Sequence, residues 1–242
     1  MALNEMMHRP VVKKELVEFM RTRLKPFSGE LGELEKDANT RGVPIIPHET
    51  AVFLNMILGQ IKPKQILEIG AAIGFSGSLM AQHVGPEGHV TTIDRFDVMI
   101  RQAKDNFEKL GVADKVTLLE GDAAEVLPTL SGPYDFIFMD SAKSKYYEFL
   151  PHCMRLLKTG GMLVIDDVFQ AGTILDDVKE VPKRVRKIHI RLNQLMDTVL
   201  DHPALETALV PLGDGLLMIV KKEDFDFSYI LEEIEKEKQT RA

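Results

Sequence analysis

Five short apolar runs, separated by helix-length stretches, dominate the middle of the chain. They read QILEIG (65–70), HVTTID (89–94), KVTLLE (115–120), YDFIFMD (134–140) and GMLVID (161–166). Runs this short and apolar are expected of strands buried on both faces. Helices are expected between them, near 75–84, 97–110, 122–130 and 144–158. Alternation of this kind builds a parallel sheet. Right-handed crossovers then put helices on both faces. The expected class is therefore α/β, a doubly wound Rossmann-like sheet.

The flanks modify that plan. Residues 11–25 and 30–41 read as polar-rich helices, and 48–61 as a third helix. Between them lies the connector 42–47, where Pro44 and Pro47 push their predecessors toward extended geometry. A longer helix is expected over 181–201, opened by Pro182. Segments 205–211 and 214–220 are too close for a crossover and read as a hairpin, so the sheet should end in an antiparallel pair. The charged tail beyond 222 reads as a surface helix. The whole chain, 1–242, reads as one domain: N-terminal helices 1–62, core sheet 63–222 and tail 223–242.

Composition narrows the classes. No apolar run approaches the ~20 residues of a membrane helix. The opening MALNEMMHRPVVKKEL lacks the apolar stretch of a signal peptide. A single cysteine, Cys153, excludes an internal disulfide framework. A soluble, cytoplasmic protein is expected. The net charge of −7 argues against indiscriminate nucleic-acid binding but leaves room for a local basic patch.

The first strand runs into Glu68-Ile69-Gly70-Ala71-Ala72-Ile73-Gly74-Phe75-Ser76-Gly77. Small residues here permit a tight turn and close approach of a ligand beyond the strand end. The dinucleotide fingerprint G-x-G-x-x-G fails, because Ala72 and Phe75 stand where glycines are needed. Glu68 also suits a cationic ligand better than a pyrophosphate. Asp94 ends the second strand, where a carboxylate can accept hydrogen bonds from ribose hydroxyls. Gly121-Asp122-Ala123 closes the third strand, where an adenine could rest. Asp122 with Glu125 also fits a helix capping box. A tight turn without any ligand is the plainer reading of the glycines.

Strand four ends in Asp140-Ser141-Ala142-Lys143 and strand five in Asp166-Asp167. Neighbouring strand ends would bring three carboxylates together, which is costly without a positive charge among them. A hard divalent cation such as Mg²⁺ answers that cost with oxygen ligands. Taken singly, each aspartate also fits a solvated loop or a helix cap. The histidines show no H-E-x-x-H or similar zinc spacing.

At these residues the chain resembles the metal-dependent O-methyltransferases that include the catechol and caffeoyl-CoA enzymes. The likeness covers about residues 40–222 and includes VPIIP (43–47), LEIGAAIGFS (67–76), TTID (91–94), GDA (121–123), DFIFMDSAKSKY (135–146), VIDDV (164–168) and GDGL (213–216). Within the group, the glycine turn and DHP-x(4)-TALVPLGDGL (201–216) are most similar to bacterial enzymes that methylate 5-hydroxyuridine at the tRNA wobble position. The resemblance implies seven strands, mostly parallel, with the last antiparallel. It implies S-adenosylmethionine held by Val43, Ile46, Glu68, Gly70, Ser76, Asp94, Ala123 and Asp140. It implies a metal held by Asp140, Asp166 and Asp167, with Lys143 as base or charge stabiliser beside Asp140. It also implies a homodimer. Three residues depart from the pattern: Asp94 stands for Glu, Phe75 for Tyr and Asp167 for Asn.

A metal lowers the pKa of a hydroxyl it binds. Catechols offer two adjacent oxygens, and 5-hydroxyuridine offers its hydroxyl and 4-carbonyl. The expected substrate is tRNA hydroxyuridine, bound through the anticodon loop, with small catechol-like or caffeoyl-type phenols as the alternative. A non-catalytic nucleotide-binding module and an NAD-linked oxidoreductase are the readings from other classes. The 181–201 helix bears on the choice. Val185, Ile188, Leu192, Leu195 and Val199 should face the core, leaving Arg184, Lys187 and Arg191 on an exposed basic stripe. Such a stripe fits RNA phosphates, though a charge run is more often a solvated face.

Overall fold

The computed structural model describes residues 11–241; residues 1–10, which include His8 and most of MALNEMMHRPVVKKEL, and Ala242 lie outside the described set. The described chain divides into two compact units, Val12–Val126 and Leu127 onward, the latter with Val11.

The first unit contains α1 (Lys14–Arg23), α2 (Gly29–Arg41), α3 (His48–Ile61), β1 (Gln65–Ile69), α4 (Phe75–Ala81), β2 (His89–Asp94), α5 (Asp97–Lys109), β3 (Val116–Glu120) and α6 (Ala123–Val126). The second contains β4 (Tyr134–Met139), α7 (Tyr146–Leu156), β5 (Leu157–Ile165), α8 (Lys183–Val199), β6 (Leu205–Val210), β7 (Leu216–Lys221) and α9 (Tyr229–Arg241). The strands form a seven-stranded sheet in the order β3-β2-β1-β4-β5-β7-β6. β1, β2 and β3 run parallel, as do β4 and β5. β7 runs antiparallel to both β5 and β6. The expected doubly wound α/β class and terminal hairpin are therefore observed.

Burial follows strand order. Ile66, Leu67 and Ile69 of β1 and Phe136, Ile137, Phe138 and Met139 of β4 are fully buried, as strands covered on both faces require. β3 and β6 are the sheet edges, and every residue of β3 keeps some exposure. In β6 only Leu205 is buried.

Several boundaries differ from the sequence reading. The helix expected over 122–130 stops at Val126 and passes into a 3₁₀ turn, Leu127–Thr129. Pro128 lies in that turn and has no N–H to continue an α-helical ladder. The helix expected from 144 begins as a 3₁₀ turn at Lys143–Lys145, and α7 proper starts at Tyr146. β5 starts at Leu157, earlier than expected, because Leu157 already pairs with Tyr134 before a register shift. The tail helix α9 starts at Tyr229 and buries Ile230 and Ile234, four residues apart and so on one stripe. Among the described residues, no helix is long and apolar enough to cross a membrane.

Candidate active site

In the first unit the registers end β1 and β2 together at Ile69 and Ile93, and β2 and β3 together at Asp94 and Glu120. Gly70, Asp94 and Gly121 thus stand at the carboxyl ends of three adjacent strands, where open α/β sheets bind ligands. The turn after β1 reverses sharply. The Gly70 and Ala71 N–H groups both donate to Ile93 O, at 2.9 and 3.1 Å. Gly70 has φ 107° and Ala72 φ 43°, both in the left-handed region. Gly74 needs its missing side chain, since a Cβ there would lie 2.8 Å from the Phe107 ring.

Asp94 fixes this turn. One carboxylate oxygen accepts from Ala72 N–H at 2.9 Å, and the other from Phe96 N–H at 2.9 Å. Each oxygen retains a further lone pair for another donor. Glu68 lies beneath the turn, fully buried. Its two oxygens accept from the Ser76 and Thr92 hydroxyls, each at 2.5 Å. Thr92 was not among the expected site residues; its place in the alternating TTID run is the signal that could have found it. Phe75 is buried and packs edge-on against Phe27, with ring centroids 6.2 Å apart, an apolar setting for the residue that departs from the Tyr pattern.

Val43 and Ile46 lie on the connector after α2, which Gly42 ends in a left-handed cap. Ile46 is buried, and Val43 is half-buried with its N–H bonded to Ala38 O at 2.9 Å. Ala123 opens α6. Asp122 caps that helix, accepting from Ala124 N–H at 2.9 Å, and pairs with Arg95 at 2.7 Å.

In the second unit Met139 pairs with Ile165, so Asp140 and Asp166 emerge side by side. The Asp166 N–H donates to Met139 O at 2.9 Å. Asp167 turns back with φ 60°, and its N–H donates to Asp166 Oδ1 at 2.7 Å. Lys143 Nζ lies 2.8 Å from Asp167 Oδ2 and 3.6 Å from Asp214 Oδ2. Tyr146 is fully buried with its hydroxyl 3.1 Å from the Ser141 N–H.

These charges act on one another. Burial, then the Asp167 charge, pushes Asp140 up to about 7, with Lys143 opposing. Burial, then Asp140 and Asp167, pushes Asp166 well above the carboxylate range. Burial works to lower the Lys143 pKa, but the charges of Asp167, Asp214 and Asp140 outweigh it and hold the ammonium above its ordinary value. The donor chemistry, oxygen only and crowded with like charge, fits a hard divalent cation. The geometry qualifies the expected three-carboxylate set: among the described residues, no three His, Cys, Asp or Glu side chains stand as a ready metal cage. Asp167 instead spends an oxygen on Lys143. Asp214 was not among the expected site residues, although it sits in the GDGL stretch.

The expected basic stripe on α8 is corrected. Arg191 is buried, bonded to Glu237 at 2.6 Å and Gln194 at 2.7 Å. The α9 helix supplies Glu237, a partner that helical periodicity in α8 does not reveal. Lys183, Arg184 and Lys187 stay exposed. Val185, Leu192, Leu195 and Val199 are buried as expected, with Ile188 only partly so.

Fold and site together define a protein of the doubly wound class whose ligands bind beyond the carboxyl strand ends. The O-methyltransferase family profile matches residues 29–222, and the chain belongs to that family. It is 35% identical over 166 residues to a catechol O-methyltransferase of Mycobacterium tuberculosis, covering 66% of this chain and 71% of that protein. It is 29% identical over 208 residues to tapetum-specific methyltransferase 1 of Arabidopsis thaliana, covering 84% and 85%. Among solved structures it resembles an SAH-bound methyltransferase of Podospora anserina, with TM-score 0.76 and 25% identity, covering 86% of this chain and 94% of that one.

Proposed function

We propose that this chain transfers the methyl group of S-adenosylmethionine to one of two adjacent oxygens on a small catechol-type substrate, with a divalent cation bound at the carboxylates. The observation that carries this reading is Lys143 Nζ 2.8 Å from Asp167 and 3.6 Å from Asp214, with Asp140 and Asp166 following the paired ends of β4 and β5. The kinship with a catechol O-methyltransferase supports the substrate class.

Asp94 accepts the ribose hydroxyls in this reading. Val43, Ile46, Gly70 and Ala123 frame the nucleoside. Glu68 acts through Ser76, whose hydroxyl it already holds. Asp140 and Asp166 would hold the cation, with Asp167 beside them and already paired with Lys143. A cation held there, Mg²⁺ by donor chemistry, would supply the Lewis acidity that lowers the pKa of a substrate hydroxyl. The hydroxyl proton would pass to solvent, because Lys143 already carries its own; the carbon–sulfur bond would break as the oxygen–methyl bond forms, releasing S-adenosylhomocysteine. Lys143, kept protonated by its carboxylates, stabilises the developing oxyanion and orients the substrate.

A second reading keeps the same chemistry on 5-hydroxyuridine of tRNA. The exposed cations Lys183, Arg184 and Lys187 on α8 favour it. The burial of Arg191 shortens that patch and favours the small phenol. The deciding experiment is transfer of labelled methyl from S-adenosylmethionine to catechol and to hydroxyuridine-bearing tRNA, each with and without chelator. Catechol methylation that the chelator stops is the expected result. Transfer to tRNA alone selects the second reading, and transfer undiminished by chelator removes the cation.

A further inference from the structure

We infer that Asp214, on the β6–β7 hairpin, is a positioning residue for Lys143, and the inference rests on the role given to Lys143 above. The two oxygens of its carboxylate have separate partners. Oδ1 accepts the Ala171 N–H at 2.5 Å, and Oδ2 faces Lys143 Nζ at 3.6 Å.

The Ala171 contact matters because the chain there is strained. Asp167, Gln170 and Ala171 have φ of 60°, 47° and 54°, a left-handed geometry that non-glycine residues resist. The hairpin clamps this segment at three points. Val168 N–H donates to Gly215 O at 3.1 Å, Phe169 N–H to Asp214 O at 2.9 Å, and Ala171 N–H to the Asp214 side chain. Close approach depends on Gly215, where an added Cβ would lie 2.2 Å from the Phe169 ring. The clamped segment begins with Asp167, the other carboxylate on Lys143. Asp214 therefore reaches the lysine twice, directly through Oδ2 and indirectly through the turn that presents Asp167. Two carboxylates from different segments fix an ammonium in direction, whereas one would leave it free to swing about a single contact. Misplacement of a reacting group by about 1 Å is enough to cost up to ~100-fold in rate.

The test compares Asp214→Asn, Asp214→Ala and Lys143→Ala in the full chain. Asparagine retains an oxygen for the Ala171 N–H and removes the charge facing the lysine. Three quantities are measured: amide hydrogen exchange at Ala171, S-adenosylhomocysteine affinity, and methyl transfer to catechol with MgCl₂ present. In Asp214→Asn, Ala171 protection and cofactor affinity are expected to stay at wild-type levels, while kcat falls roughly tenfold or more with KM little changed. In Asp214→Ala, Ala171 protection is lost as well. Adding Asp214→Asn to Lys143→Ala is expected to cost nothing further, since the two act as one unit. Wild-type kcat in Asp214→Asn, or an equal loss in the Lys143→Ala background, overturns the inference. Should Asp214→Ala fail to fold, Asp214→Asn still decides it. A wild-type chain that methylates neither catechol nor hydroxyuridine-bearing tRNA overturns the functional reading itself, a result distinct from an active wild type with an equally active Asp214→Asn.

Discussion

Lys143 Nζ lies 2.8 Å from Asp167 Oδ2, so an ammonium and a carboxylate expected to serve separate ends share a hydrogen bond. Of the charges that raise the Lys143 pKa, that of Asp167 is the largest. Replacing Asp167 by Asn removes it and lets the lysine lose its proton at lower pH. If Lys143 works as an ammonium, the alkaline fall in rate moves to lower pH in Asp167→Asn. The pH–rate profile of methyl transfer to catechol checks this. A rate that instead rises at lower pH than in the wild type makes Lys143 a base and contradicts the role given to it here.

The carboxylates also tie stability to pH in chelator-treated protein. Asp140 is raised from 3.8 to about 7, so the folded state holds its proton more tightly than the unfolded chain does. That stabilisation is fully present below about pH 4 and is lost as pH rises through about 7. Asp166 adds to it in the same direction. Metal-free protein is therefore expected to melt at lower temperature at pH 8 than at pH 5.5, with MgCl₂ raising Tm more at pH 8. Asp140→Asn should flatten the dependence. A Tm that does not change across this range, or an equal metal effect at both pH values, refutes the account of charge crowding.

Glu68 is a structural carboxylate with both oxygens on hydroxyls, from Ser76 at 2.5 Å and Thr92 at 2.5 Å. Glu68→Gln keeps the volume but forces an amide nitrogen toward one hydroxyl. Hydrogen bonds to a charged group contribute about 1.5–3 kcal/mol, so a loss of that order is expected. Urea unfolding measures it. An unchanged midpoint would mean that the buried carboxylate contributes nothing to the turn.

The sheet was legible because strand-length apolar runs are a property of local sequence, and the short gap before Leu216 left no room for a crossover. That Asp140 and Asp166 lie side by side follows from the adjacent ends of β4 and β5. What stayed hidden depends on distant partners. Arg191 looked exposed on α8 because Glu237 comes from a helix far along the chain. Asp214 reaches Lys143 only because the hairpin folds onto residues 168–171. The stop in α6 turned on Pro128, whose effect helical periodicity does not register.

The tail helix α9 is held at two points. Arg191 meets Glu237 at 2.6 Å, and the Tyr147 hydroxyl donates to Glu233 at 3.1 Å. Arg191 also lies over the Tyr147 ring, 5.8 Å from its centroid. Arg191→Ala removes the ion pair and the guanidinium over the Tyr147 ring. A loss of about 1–3 kcal/mol is expected, with faster proteolytic cleavage within 229–241. Cleavage at the wild-type rate would leave the Tyr147–Glu233 bond and the buried Ile230 and Ile234 as the attachment.

Asp94 bears on both the turn and the cofactor proposed for it. Its Oδ2 holds the Ala72 N–H while Ala72 sits at φ 43°, so the carboxylate supports a strained residue and faces the ligand side of the strand ends. Asp94→Asn keeps one oxygen acceptor, but its amide nitrogen then faces the Ala72 or the Phe96 N–H. Asp94→Ala removes both acceptors. S-adenosylhomocysteine affinity, read by calorimetry, is expected to fall roughly tenfold in Asp94→Asn and further in Asp94→Ala, since each lost charged hydrogen bond costs about 1.5–3 kcal/mol. Urea unfolding separates the two roles: the turn contributes to stability without ligand, the ribose contact only with it. Equal stability losses with and without S-adenosylhomocysteine would confine Asp94 to the turn and move ribose recognition elsewhere.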